Sequence, residues 1–249
     1  MLCWQPTKTG MPMKVTTRNV RLRSVRCFTQ WLYEHDHASH DASAKVVSAR
    51  EPVELPRNVL SEAEVFALIA VPDTQTLLGY RDKTIIELLY ATAIRVRELT
   101  HPDVGDIDIK AGVALIRHGK GKKDRVVPMG KRASTTVQTY LEGIHSELAN
   151  DGEVALVVSY LGKRISTEAV ANLVRSHGRK AKLKTKVTPH ILRHACATHM
   201  MRRGAPIRHV QELLGHADIK TTQIYTRLTN QELMEAHAKF HPREQDEAL

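Results

Sequence analysis

One stretch of this chain alternates in a strand-like way. GVALIRHGKGKKDRVVPMG, residues 112–130, reads like two strands, with VALI and VVP on either side of a Gly/Lys-rich turn, the pattern of a β-hairpin. The rest, from residue 57 on, follows helical spacing, so the fold class is mainly α with a small β-hairpin or sheet. The helix boundaries are written in the residues. Ser61 and Glu64 form a capping box at the start of LSEAEVFALIA, with Leu60 and Val65 as a hydrophobic staple. YRDKTIIELLYATA reads as a long buried helix that VRELT continues or follows. RASTTVQTYLEGIHSELA and STEAVANLVRSHGRKA are two more. TPHILRHACATHMMRRG begins with Pro189 in its first turn and ends at Gly204, PIRHVQELLG closes on Gly215, and TNQELMEAHAKF is the last.

Residues 1–56 have a different character. VRLRSVRCFTQWLYEH carries Val20, Val25, Phe28 and Leu32 at roughly helical spacing with arginines between. A polar stretch and then Pro52 and Pro56 mark a linker. The expected division is a helical segment and linker over 1–56, a main domain with its C-terminal helix over 57–242, and a tail over 243–249. With 42% hydrophobic but only 4% aromatic residues, the core must be built of Leu, Ile, Val and Ala.

The net charge of +10 asks for an anionic partner. The positive charge is gathered in two runs. Arg117, Lys120, Lys122, Lys123, Arg125, Lys131 and Arg132 crowd the hairpin against Asp124 alone, and residues 174–186 include Arg175, Arg179, Lys180 and Lys182 with no acid. Backbone phosphates demand this density, because affinity for them comes from counterion release. Of the two obvious anionic partners, nucleic acid and a membrane surface, two such runs favour nucleic acid. No run of 18 apolar residues exists, and the basic N-terminal stretch lacks the apolar core of a secretory signal. Three scattered cysteines form no CxxC pair, which fits a reducing cytoplasm and no cysteine-based zinc site.

Taken singly, the chemistry-bearing residues have ordinary explanations. Arg95 and Glu98 are a plausible ion pair in an apolar setting, Lys120 is a turn lysine, and His190 and Arg193 share a helix face at i, i+3. Their order is what distinguishes them. ATAIRVREL, GKGKKDRVVP, TPHILRHACATHM and LLGHADIKTTQIYT resemble the tyrosine recombinase (phage integrase) family across residues 57–242, in a Xer-like or integrase branch. That resemblance implies a catalytic domain behind a partial helical core-binding domain, and a site-specific DNA recombinase active in integration, excision or resolution. It implies that Tyr225 attacks the scissile phosphate to form a 3′-phosphotyrosyl bond. Arg95 and Arg193 would hold the non-bridging oxygens, Lys120 would protonate the leaving 5′-oxygen, and His190 would assist deprotonation of Tyr225. His216 would hydrogen-bond the phosphate and Glu98 would orient Arg95. The partner implied is double-stranded DNA, whose contacts would fall to Arg117, Lys122, Lys123, Arg125, Arg175, Arg179, Lys180 and Lys182. Neither a metal nor another cofactor is expected, and other protomers are, in a synaptic tetramer whose C-terminal helix, with Leu228, Leu233, Ala236 and Phe240, docks on its own domain or in trans.

The chain departs from the family pattern in three places. The segment before Arg95 is shorter than the family's full clamp, Thr92-Ala93 replaces the usual Thr-Gly, and Pro102 replaces a leucine. These departures leave a second reading, a non-catalytic DNA-binding remnant. A type IB topoisomerase would share the chemistry, but Lys120 and the C-terminal tail fit the integrase pattern better.

Overall fold

The computed structural model describes residues 13–50, 59–117, 124–215 and 230–245. Two units divide between Arg57 and Asn58. In the first, α1 (Val15–Glu34) is tied to the strand of chain that follows it by Asn19. The Asn19 amide donates to the Ala49 carbonyl at 2.8 Å and accepts the Ala49 N–H at 3.1 Å. Thr29 meets Ser43 at 2.6 Å, and Ser43 is held in turn by Asp41. Val20, Phe28 and Trp31 stay exposed on this helix.

In the second unit, side-chain caps set the helix starts. Ser61 opens α2 (Glu62–Ala70) through the expected capping box, and Thr76 opens α3 (Leu77–Thr92). Ala93 ends α3 with φ 50° and ψ 24°, and the chain then restarts as α4 (Val96–Thr100) with Arg95 at its N-cap. A short 3-10 turn leads into a three-stranded antiparallel sheet of β1 (Ile107–Asp108), β2 (Val113–Ile116) and β3 (Arg125–Pro128). β2 and β3 are the expected hairpin, while β1 is an addition that two residues of sequence could not announce. Ala114, Ile116 and Val127 face the core, and Val113, Leu115 and Val126 remain half-exposed.

The helix expected from residue 132 starts at Gly130 and is broken in two. Ile144, at φ −123°, separates α5 (Gly130–Gly143) from α6 (His145–Leu148). Ser166 caps α7 (Thr167–Lys180), and Thr188 caps α8 (Pro189–Arg202) with Pro189 in its first turn. Then come α9 (Ile207–Leu213) and α10 (Asn230–Phe240). α11 (Pro242–Gln245) occupies part of what the sequence reads as a tail.

The core lies around α3, buried from Thr84 to Thr92 and flanked by α2, α5 and α8. Its apolar members are almost all Leu, Ile, Val and Ala, with Tyr90 and Tyr140 the large fully buried aromatics. Glu87, which interrupts the apolar run of α3, is fully buried. Arg243 of α11 matches it with bonds of 2.8 and 2.9 Å. A buried carboxylate without such a partner would be strongly destabilising. α10 therefore docks on its own domain in this chain. Leu233 and Ala236 are buried, Phe240 is half-buried, and the His237 ring bonds the Ala91 carbonyl at 2.8 Å.

Candidate functional site

The break between α3 and α4 brings Arg95 to the surface beside a buried acid. Glu98, one turn into α4, bends back to accept the Arg95 backbone N–H at 2.8 Å, and its other oxygen takes the Arg95 guanidinium at 3.0 Å. Glu98 therefore holds Arg95 by both its backbone and its side chain. Arg193 arrives from the first turns of α8, 6% exposed. It donates to the Ala93 and Leu214 carbonyls, and its Nη1 lies 4.0 Å from Glu98. One side chain therefore ties the α3–α4 break to the end of α9.

A third guanidinium completes the cluster. Arg125, the first residue of β3, grips Glu98 with two parallel hydrogen bonds of 2.9 Å each. The basic run had marked Arg125 only as a DNA contact. Strand parity was the available signal: Arg125 shares its face with buried Val127, so it points inward. Gly215 sits directly against it at φ 58°, so that a Cβ there would stand 2.8 Å from Arg125 Cζ.

The electrostatics follow from the packing. Burial raises the Glu98 pKa more than any other single influence, yet the Arg125 hydrogen bonds, the Arg95 N–H and both charges outweigh it. The carboxyl is held at about 2 and stays ionised at neutral pH. Burial, with repulsion from Arg95, brings Arg193 down to about 10, where it is still a cation at pH 7. One carboxylate faces three guanidiniums, so the site keeps a surplus of positive charge with donors left over. Such a cluster suits an anionic group with several oxygens.

The other site residues fall in different places. His190 is exposed in the first turn of α8. His199, on the same helix, is structural: it meets Tyr90 Oη at 2.9 Å and the Leu60 carbonyl at 2.7 Å. Arg117 pairs with Asp106 at 2.6 Å, and Arg175 donates to Asn172 at 2.6 Å. Arg179, Lys180 and Lys182 are exposed at the end of α7. Lys120, Lys122, Lys123, His216, Tyr225 and Leu228 lie outside the described residues. Ala93 itself takes a positive φ of 50°, and Pro102 is buried with its carbonyl accepting from Leu156 at 2.9 Å. Among the described residues no cluster of three His, Cys, Asp or Glu forms a metal site, and no helix is long and apolar enough to cross a membrane.

Comparison with known proteins adds a second line of observation. The model of the phage integrase family matches residues 58–232. The tyrosine recombinase XerD of Staphylococcus aureus is 38% identical over 223 residues, covering 89% of this chain and 75% of that protein. The crystal structure of XerA recombinase superposes with a TM-score of 0.60 at 30% identity, covering 92% of this chain and 76% of its own. XerH recombinase, solved bound to a palindromic difH substrate as a post-cleavage complex, gives 0.67 at 20% identity, covering 91% and 67%.

Proposed function

The chain belongs to the phage integrase family of site-specific DNA recombinases, and on that premise we propose that it breaks and rejoins duplex DNA through Tyr225, without a metal. The Tyr225 oxygen forms a bond to the scissile phosphorus as the bond to the 5′-oxygen breaks. The phenolic proton leaves with the help of His190, and Lys120 gives a proton to the departing 5′-oxygen. The products are a 3′-phosphotyrosyl link and a free 5′-hydroxyl. Attack by the 5′-hydroxyl of another strand reverses the step and restores a phosphodiester, so no ATP is consumed.

Arg95 and Arg193 hold the non-bridging oxygens, and His216 adds a donor. Fixed guanidiniums suit this task, because they offer paired donors to charge that spreads in the transition state. The observation that carries the reading is the convergence of Arg95 and Arg193, nearly a hundred residues apart in the chain, on the single carboxylate of Glu98. The non-catalytic remnant is not favoured, since the chain keeps the residues the chemistry needs. Strand exchange joins two duplexes, so the reaction calls for several protomers on DNA. Arg117, Lys122, Lys123, Arg175, Arg179, Lys180 and Lys182 are the proposed grip on the duplex.

The test is incubation with nicked suicide duplexes, followed by denaturing electrophoresis for a covalent protein–DNA band. The band should form with the wild type, vanish in Tyr225→Phe, and persist in Tyr160→Phe, whose ring is 76% exposed. A band indifferent to Tyr225→Phe rules the mechanism out.

A further inference from the structure

Arg125 is spent differently from the other cations of its run. Both of its Nη atoms are engaged by Glu98 at 2.9 Å, its side chain is 18% exposed, and the side chain of Glu98 is 8% exposed. Its Nε is buried and has no hydrogen-bond partner among the described residues. The space beside it is filled by the Gly215 backbone, where a Cβ would come within 2.9 Å of that nitrogen. A side chain so enclosed has little left to offer a DNA backbone.

We propose that Arg125 is a positioning residue for strand cleavage, which fixes Glu98 for Arg95 and Arg193 and braces the end of α9 at Gly215. The inference rests on the recombinase reading and goes beyond it, since it moves Arg125 from the DNA grip to the support of the cleavage site. An ionised carboxylate has about four lone-pair positions, and here Arg125 and Arg95 supply two hydrogen bonds each. Without Arg125, half of that saturation is lost in a site with little access to water. Glu98 then draws on its nearest remaining cation, Arg193, whose Nη1 is 4.0 Å away. That pull takes Arg193 from the Ala93 and Leu214 carbonyls, which set its direction. It also commits to Glu98 donors that the phosphate needs. Lysine cannot replace the arginine, because an ammonium lacks the planar pair of parallel donors.

The experiment compares Arg125→Met and Arg125→Lys, each alone and in a Glu98→Gln background, by single-turnover adduct formation on a nicked duplex at saturating protein. Duplex affinity is measured beside it by fluorescence anisotropy. Both single variants should slow adduct formation by about tenfold or more, with duplex affinity within about twofold of wild type. In the Glu98→Gln background the same substitutions should add almost nothing, because Arg125 acts through that carboxylate. Losses that multiply in the double variant, an unchanged rate, or a fall in duplex affinity matching the fall in rate would each overturn the proposal. Should Arg125→Met fail to fold, Arg125→Lys carries the comparison. A wild type that forms no adduct defeats the recombinase reading instead. Carbon-13 NMR of the Glu98 carboxyl then decides the contact by itself: Arg125→Lys should raise its titration midpoint, and an unmoved midpoint overturns the inference.

Discussion

Replacing Gly215 with alanine would strain the site from two directions. The backbone at φ 58° is left-handed, which costs an L-residue about 1–2 kcal/mol. The new methyl would also stand 2.8 Å from Arg125 Cζ and 2.9 Å from Nε, inside any real contact distance. The guanidinium can yield only by giving up part of its paired hold on Glu98, and a charge-assisted hydrogen bond of this kind contributes about 1.5–3 kcal/mol. Reduced freedom of the unfolded chain returns about 0.4–1 kcal/mol. The net loss is about 2–4 kcal/mol, which lowers the melting temperature of a unit this size by about 5–15 °C. Thermal unfolding followed by circular dichroism reads it, with Gly105→Ala as control, because a Cβ there meets nothing within 4 Å. The control should change stability by less than about 0.5 kcal/mol. A Gly215→Ala protein that melts with the wild type would refute both the contact and its energetic role.

Other substitutions probe the same centre. Ala93→Gly relieves a left-handed alanine at about 1–2 kcal/mol but loses a fully buried methyl, about 0.8, and adds glycine's chain entropy, about 0.5–1. Stability by denaturant titration should therefore stay within about 1 kcal/mol of wild type, and a larger change would show that the departure from Thr-Gly matters. Arg193→Lys cannot reach the Ala93 and Leu214 carbonyls while also meeting a phosphate. Single-turnover cleavage should fall by about a hundredfold or more, equivalent to roughly 3–4 kcal/mol, and an unchanged rate would remove Arg193 from the chemistry. The docked C-terminus should loosen in acid. His237 and His241 stack at 4.4 Å and are held below the ordinary histidine value, mainly by burial. Ala91 and Glu244 face His237, while Tyr90, Arg243 and His199 face His241. Folded pKa values below the unfolded one make the undocked state bind more protons, so this docking is stable above about pH 6.5 and weakens as pH falls through it. Hydrogen exchange of residues 231–245, corrected for intrinsic rates, should rise between about pH 7.5 and about pH 5.5. Constant protection would contradict this.

Local rules made much of the fold readable. Ser61, Ser166 and Thr188 stand where a helix must satisfy its free N–H groups, and Pro189 and Gly215 mark a start and an end that other residues fit poorly. Alternation exposed β2 and β3 for the same reason. The break at Ile144 was hidden, since the sequence around it continues a helical pattern, and β1 and α11 are too short to carry one. The site divides the same way. Arg95, Glu98 and Arg193 stood out because charged residues in apolar or capped settings need a reason. Arg125 did not, because it stands in a run of seven basic residues and reads, with Arg117, Lys122 and Lys123, as a DNA contact, and its partner is 27 positions away. Glu87 posed the same problem, with its answer in Arg243, 156 positions on. Long-range pairing of charges is fixed by packing, which a local pattern does not encode.

The central claim is that guanidiniums gathered at Glu98 serve a phenol at position 225. The most direct measurement is mass-spectrometric mapping of the covalent adduct after protease and nuclease digestion, with end-labelling of the released strand. The account predicts a nucleotide joined through its 3′-phosphate to the peptide containing Tyr225, and a 5′-hydroxyl on the other cut end. A nucleotide on any other residue, or a 5′-phosphate at the cut end, would contradict it.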